Sequence, residues 1–193
     1  AIERVSAKRS SGTTRSVICF ALTRFFILRL FDISCYTDAE TPLYVKASAM
    51  SFAWQIEHWS TIADFVAHLA RHDPAVAAWA TGSAIHHTYR PLPLQWQGRR
   101  SMEALADFYE NKTPPWSAGP HLFLCIGSPD PRNDGIWQGT PLNEPGVHGG
   151  LCNAHLWGIE VVGDYDRAPW PAPLANLVYG TSASLFRWRS LTV

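Results

Sequence analysis

A buried strand is predicted at residues 158–162, within the run Gly158-Ile159-Glu160-Val161-Val162-Gly163. Its β-branched residues favour an extended strand, and a glycine bounds the run at each end. A short run that is apolar at nearly every position is typical of a strand buried on both faces. Such strands occur in sheets covered by helices, so the stretch predicts an α/β fold.

One charged residue interrupts this strand. Glu160 stands between Ile159 and Val161, and burying a carboxylate without a partner is costly. Two explanations are open at this point. Either the carboxylate forms a structural salt bridge to an arginine, or it serves as a general base or as a carboxylate beside a metal ion.

Other strands and helices are predicted on either side of this stretch. The further predicted strands cover residues 83–89, 121–126 and 136–139, and turn residues between the last two indicate a hairpin. A first helix follows Thr61, which has capping-box spacing with Asp64, and Pro74 stops it. A second helix covers residues 101–111, capped by Ser101, and its predicted inner face carries Met102, Leu105, Phe108 and Tyr109. A last helix follows Pro173, with one side formed by Leu174, Leu177, Val178, Leu185 and Phe186. The expected architecture is a mixed central β-sheet flanked by helices.

Composition divides the chain near residue 50. All nine Trp and all eight His of the 193 residues lie after that point, whereas the first 49 residues carry an excess of basic side chains. We therefore predict a leader or non-domain extension over residues 1–49 and one domain over residues 50–193. An apolar run at residues 17–33 is interrupted by Arg24 and Arg29, which makes it a poor membrane span and an imperfect signal peptide.

Charge and motifs exclude several classes of protein. Sixteen basic residues balance sixteen acidic ones, which argues against a non-specific nucleic-acid binder. The glycines form neither a phosphate-binding loop nor a dinucleotide fingerprint, and there is no Gly-x-Ser-x-Gly elbow of a serine hydrolase. Cys125 is predicted to be a buried, inert thiol, and a disulfide between Cys125 and Cys152 stays open.

Histidines are the main candidates for chemistry. His86 and His87 are adjacent on a predicted strand, so their side chains point to opposite faces and only one of them can face a given site. That histidine is equally well explained as a zinc ligand or as a polar core residue. His148 lies in a glycine-rich loop where the backbone can approach a ligand. His68 and His72 are one helical turn apart without the glutamate of a HExxH motif, which favours a solvated helix edge over a metal site.

Several motifs, in this order, resemble one known family. They are Ile85-His86-His87-Thr88-Tyr89, Trp116-Ser117-Ala118-Gly119-Pro120-His121-Leu122-Phe123, Asp134-Gly135-Ile136-Trp137-Gln138-Gly139, Gly146-Val147-His148-Gly149-Gly150, Cys152-Asn153 and Gly158-Ile159-Glu160. The chain from about Trp54 onward is similar to the zinc-dependent N-acetylmuramoyl-L-alanine amidases. These form the type 2 amidase superfamily, which includes phage amidases and the peptidoglycan recognition proteins.

The resemblance implies a zinc site in a groove. By position, His86 is the first zinc ligand, and Glu160 is the residue that activates water in the branch with a glutamate in this strand. Pro120 stands where some members carry a catalytic tyrosine. The family's other two ligands, a histidine and a Cys or Asp, come from a segment after the last helix. No histidine follows His155, so we expect the domain to lack that segment.

The implied substrate is peptidoglycan or a muropeptide, cut between N-acetylmuramic acid and L-alanine. Trp116, Trp137, His148 and Asn153 are the implied groove residues, with a place in the core as the alternative for the two tryptophans. A second class of function is open, namely a module that binds muropeptides without cutting them. The resemblance favours an extracellular, cell-wall or phage-borne protein, with a cytoplasmic recycling enzyme as the alternative.

Overall fold

A computed structural model shows an open mixed β-sheet with helices on both faces, in agreement with the predicted architecture. It describes residues 18–21, 29–31 and 52–191. In this part of the chain the strands are β1 Ile18–Ala21, β2 Arg29–Phe31, β3 Glu57–Trp59, β4 Gly82–His87, β5 Leu122–Cys125, β6 Gly135–Gln138 and β7 Leu156–Val161. The α-helices there are α1 Ile62–Leu69, α2 Arg99–Glu110 and α3 Ala172–Trp188.

Five strands between residues 57 and 161 form the sheet around the site, in the order β4-β7-β5-β6-β3. Strand β7 is central and runs parallel to both β4 and β5. The β5–β6 and β6–β3 pairs are antiparallel, and the first of them is the predicted hairpin. Strands β1 and β2 extend the sheet beyond β4 by antiparallel pairing. The rest of the predicted extension over residues 1–49 lies outside the described residues.

Helices α1 and α3 cover one face of the sheet, here called the α1–α3 face. Its strand residues include Ile85, Trp157, Ile159 and Val161, each no more than 2% exposed. They pack against Phe65 and Leu69 of α1 and against Leu174, Leu177, Val178 and Leu185 of α3. Burying each of these side chains is worth about 1.5–3 kcal/mol, so this layer provides most of the core stability.

Helix α2 covers part of the opposite face, here called the α2 face. Met102 and Tyr109 of the helix pack against Phe123, Trp137 and Val162. This cluster lies over β5, β6 and the end of β7. The part of the same face formed by β4 and β7 is covered instead by the loop that precedes β7, and it is there that the polar residues collect.

Helix starts show where local signals succeed and where they do not. The Thr61 side chain accepts a hydrogen bond from the Asp64 backbone N–H at the start of α1, as its spacing predicts. Helix α2 begins two residues before the predicted cap, after Gly98, whose φ of 58° only glycine adopts easily. Ser101 instead accepts from the backbone N–H of Gln97. Phe108, predicted to face inward, is 54% exposed.

Candidate functional site

His86 and Glu160 are neighbours across two parallel strands. Residue 86 of β4 is in register with residue 160 of β7, so both side chains project from the α2 face. They are 7% and 4% exposed, respectively. Residue 160 is also in register with Phe123 of β5, which places the carboxylate between an imidazole and an aromatic core. The two residues that sequence reasoning placed at the chemistry are therefore adjacent in space.

His87 points to the other side of the sheet, which confirms the predicted opposition of the two histidines. Its Nε2 lies 3.0 Å from an Asp166 carboxylate oxygen, and its Nδ1 lies 3.2 Å from the Gly163 carbonyl oxygen. His87 is thus part of the turn after β7, whereas His86 belongs to the polar part of the α2 face.

His148 reaches the same place from the loop before β7. Its Nε2 donates to the Leu156 carbonyl oxygen at 2.9 Å, because a carbonyl can only accept. Burial lowers the pKa of His148 to about 4, so the ring is neutral near pH 7 and its Nδ1 carries a lone pair. That Nδ1 lies 3.3 Å from His86 Nε2, which makes His86 the donor in this hydrogen bond.

Asn153 and two glycines hold the loop in this shape. The side-chain oxygen of Asn153 accepts from the backbone N–H groups of His148 and Gly149, each at 2.8 Å. A side chain at position 158 would collide with the His148 ring, so only glycine on β7 lets the ring lie against the strand. Asn153, predicted to contact substrate, thus has a demonstrated contact with the loop backbone.

His121 is a third imidazole near this cluster, with its ring centroid 6.0 Å from that of His148, and the backbone occupies both of its ring nitrogens. The Gly158 N–H donates to Nδ1 at 2.9 Å, and Nε2 donates to the Glu144 carbonyl oxygen at 2.9 Å. Burial, with a smaller contribution from His148, lowers the pKa of His121 to about 3. A neutral ring with both nitrogens bonded fastens strand to loop and has no lone pair left for a ligand.

The two predicted groove tryptophans lie in the aromatic cluster under α2. Trp137 is 5% exposed, stacks on His58 at 4.0 Å between ring centroids, and donates from its indole N–H to the Asn133 carbonyl oxygen. This is the placement of a core side chain, the alternative that the sequence left open. Trp116 is partly exposed and stacks on Tyr109, with the Lys112 ammonium 4.1 Å from its ring centroid.

Cys125 and Cys152 are not joined by a disulfide, which closes the question of a bond between them. Cys125 is fully buried on β5, and burial, together with the nearby Asp134 carboxylate, raises its pKa to about 12. It is inert, as predicted. Cys152 packs against Ala84, two residues before His86 on the same face of β4, and so lies at the edge of the polar cluster.

A second polar cluster lies on the α1–α3 face, where sequence reasoning did not expect one. His68 is only 9% exposed, so the predicted solvated helix edge is wrong for this residue. Its Nδ1 lies 3.4 Å from a Glu57 carboxylate oxygen, and its ring centroid is 4.6 Å from that of His72. These side chains line a cavity of about 290 Å³ together with Gln138, Leu142 and Trp188. This cluster was not predicted because the short strand β3, which carries Glu57, was not predicted.

The metal-binding capacity of the α2 face is limited. Across residues 18–21, 29–31 and 52–191, no group of three or more His, Cys, Asp or Glu side chains is arranged to hold a metal ion. What the face offers is a pair of imidazole nitrogens, a type of donor that suits zinc, beside a buried carboxylate. This set can bind one polar group, orient it and accept a proton from it.

Comparison of the chain with protein-family models, with curated proteins and with solved structures finds no match in any of the three. None of the helices among the described residues has the length and apolar character of a membrane span.

Proposed function

We propose that this chain is a peptidoglycan amidase that hydrolyses the amide between the lactyl group of N-acetylmuramic acid and L-alanine. The observation that carries the proposal is the register of His86 and Glu160 on neighbouring parallel strands, both buried on the α2 face. An imidazole and a carboxylate side by side, in the order of motifs that resembles the amidases, form the minimum of a site that splits amides with activated water.

The donor chemistry fits a zinc ion at His86. An imidazole is a good zinc ligand, and the His86 ring donates a hydrogen bond to the neutral imidazole of His148. Zinc bound there would supply an acidified water, with a pKa of about 7, and would polarise the amide carbonyl.

Glu160 is proposed as the general base and then the general acid. Its carboxylate takes a proton from the attacking water and passes it to the departing nitrogen of L-alanine, so that the amine leaves neutral. The strand fixes the carboxylate, because β7 is paired on both sides, by β4 and by β5. A fixed carboxylate needs little reorganisation during the reaction.

Substrate contacts are proposed for the edge of this site. Trp116 offers a partly exposed ring for a sugar, and Lys112 beside it offers a positive charge for a carboxylate of the peptide stem. The Asn153 oxygen is engaged by the loop, which leaves its amide nitrogen to donate to a peptide carbonyl.

A muropeptide-binding module without catalysis is the second candidate. The observation that favours it is the pair of nitrogens in place of a three-ligand group in the part of the chain that the structure describes. A catalytic zinc normally has three protein ligands.

The test is to incubate the 193-residue chain with a purified muropeptide and one equivalent of Zn²⁺, and to identify the products by mass spectrometry. An amidase yields the free saccharide and a peptide with an L-alanine amino terminus, the two together heavier than the substrate by one water. A muropeptide that is retained by the protein but stays intact shows the binding module. A muropeptide that is neither cut nor bound contradicts both functions.

A further inference from the structure

The cavity on the α1–α3 face carries one negative charge. Its volume is about 290 Å³, which is at the lower end of the range for small-molecule sites, about 300–1,000 Å³. Among the described residues that line it, Glu57 is the one carboxylate, and none is a lysine or an arginine. A ligand that enters this cavity therefore meets a negative potential.

The contacts of the Glu57 carboxylate are with uncharged groups. Gln55 donates to one carboxylate oxygen from its side-chain amide, and His68 Nδ1 lies 3.4 Å from the other. Burial lowers the pKa of His68 by more than the Glu57 charge raises it, so the ring is neutral near pH 7. Across residues 18–21, 29–31 and 52–191, no lysine or arginine forms an ion pair with Glu57, whose side chain is only 31% exposed. A cationic ligand would supply the missing partner.

An amide oxygen beside the carboxylate can accept a further N–H group. Gln138 lies directly opposite Glu57 in the β3–β6 pair and is 4% exposed. Its side-chain nitrogen donates to the Gln55 carbonyl oxygen at 3.5 Å, which leaves its side-chain oxygen to accept. A carboxylate and an amide oxygen together suit an ammonium group, which has several N–H donors and no acceptor.

Apolar side chains and an indole ring share the wall of this cavity with the polar groups. Trp188, partly buried at the end of α3, donates its indole N–H to the His72 carbonyl oxygen at 3.1 Å, which fixes the ring. Leu69, Val76 and Leu142 are the neighbouring apolar residues of the wall. An indole ring attracts organic cations and also packs against hydrocarbon. This wall favours a ligand that carries a short hydrocarbon part as well as a positive charge.

We propose that this cavity binds a small organic ammonium ion, with its charged group against Glu57 and Gln138 and its hydrocarbon part against Trp188. The cavity and the pair of His86 and Glu160 lie on opposite faces of the sheet, so the proposal does not depend on the amidase function. It gives the chain a second binding site, selective for positive charge and in need of no metal ion.

The first test compares three probes of nearly the same size, namely phenethylammonium, neutral 2-phenylethanol and anionic phenylacetate. Each is titrated near pH 7 into the 193-residue chain, freed of metal with a chelator, and the Kd is measured by calorimetry. Phenethylammonium should bind about tenfold or more tightly than either of the others, because only it can pair with the carboxylate. A chain that does not bind phenethylammonium, or that binds the alcohol equally well, would overturn the proposal.

The second test removes the charge from the cavity. Glu57→Gln keeps the shape of the side chain and should raise the Kd for phenethylammonium about tenfold or more. The matched control is Glu103→Gln, an exposed carboxylate on α2, which should leave the Kd unchanged. Circular dichroism shows that each variant is folded. Wild-type affinity in folded Glu57→Gln would contradict the proposed contact.

The third test locates the bound probe in the wild-type chain. The NMR signal of the Trp188 indole N–H, identified by its absence in Trp188→Phe, should shift when phenethylammonium is added. Binding that leaves this signal in place would put the ligand elsewhere and overturn the proposal.

Discussion

The two faces of strands β4 and β7 differ sharply in the polarity of their side chains. On the α1–α3 face, β4 and β7 present Ile85, Ile159 and Val161, all within a continuous apolar core. One residue further along, on the α2 face, they present His86 and Glu160. Since adjacent strand residues alternate between faces, a six-residue strand can serve stability with one set of side chains and chemistry with the other. The comparison predicts that substitutions on the two faces affect different measurements.

The largest effect is expected from the carboxylate. Glu160→Gln keeps the shape of the side chain but removes the proton acceptor, so muropeptide turnover should fall about 10²–10⁴-fold. The matched control is Glu103→Gln, which changes an exposed carboxylate on α2. Turnover is measured as the rate of release of L-alanine amino termini at saturating zinc. Glu160→Gln with wild-type turnover would remove the proposed base.

The neighbouring residue should affect stability instead. Ile159 is fully buried on the α1–α3 face, and Ile159→Ala should lower the free energy of unfolding by about 2–5 kcal/mol through lost burial and a cavity. Urea denaturation measures the change at a temperature where the variant stays folded, and zinc affinity is measured alongside. A loss of stability below about 1 kcal/mol would mean that this face is not the main core.

A smaller effect on stability is expected at Gly158, where the His148 ring packs against β7. Gly158→Ala places a methyl group against the His148 ring, which must move away from β7. We expect a loss of stability of about 1–3 kcal/mol. Gly127→Ala is the contrasting substitution in open space, although its φ of 92° strains any side chain, so it should affect stability alone. A free energy of unfolding that is unchanged in Gly158→Ala would contradict the close packing of His148 against β7.

The last comparison concerns the pH dependence contributed by His121. Its pKa of about 3 in the folded protein lies below the ordinary 6.5, so the folded state keeps the ring neutral while the unfolded state takes up a proton. Stability is therefore complete above pH 6.5 and falls as the pH drops from there toward 3, by about 1.4 kcal/mol per pH unit.

His121→Gln supplies the comparison for this pH dependence. It should be less stable at pH 7 but should lose stability less steeply between pH 6 and pH 4. Urea denaturation of both proteins at several pH values gives the two slopes. Equal slopes would show that His121 is protonated in the folded state.

The parts of the fold that sequence reasoning located depend on local signals. The cap at Thr61, the buried run of β7, and the turn residues before Gly135 each act within a few residues, and all three led to the correct element. Strand β3 was missed because Glu57, His58 and Trp59 show no clear apolar run, and their pairing with β6 is set by a partner about 80 residues away.

The site residues also divide into those that a local pattern reveals and those that only tertiary packing brings together. His86 and Glu160 stand out because a polar residue in an apolar strand is visible in the sequence. The contact of His148 with His86 joins residues 62 positions apart and depends on how the loop folds over β7. The burial of His68 depends likewise on Glu57 and Trp59, which belong to the unpredicted strand. Pairings of this kind are fixed by tertiary packing and leave no local pattern.

The measurement that tests the central claim most directly is an anomalous difference map at the zinc edge, from a crystal of this chain grown with Zn²⁺. The account predicts one strong peak on the α2 face, about 2.0–2.1 Å from His86 Nε2 and on the side of the sheet that carries Glu160. A map whose only ordered zinc lies at His68 and His72, or one with no peak beside His86, would contradict the account.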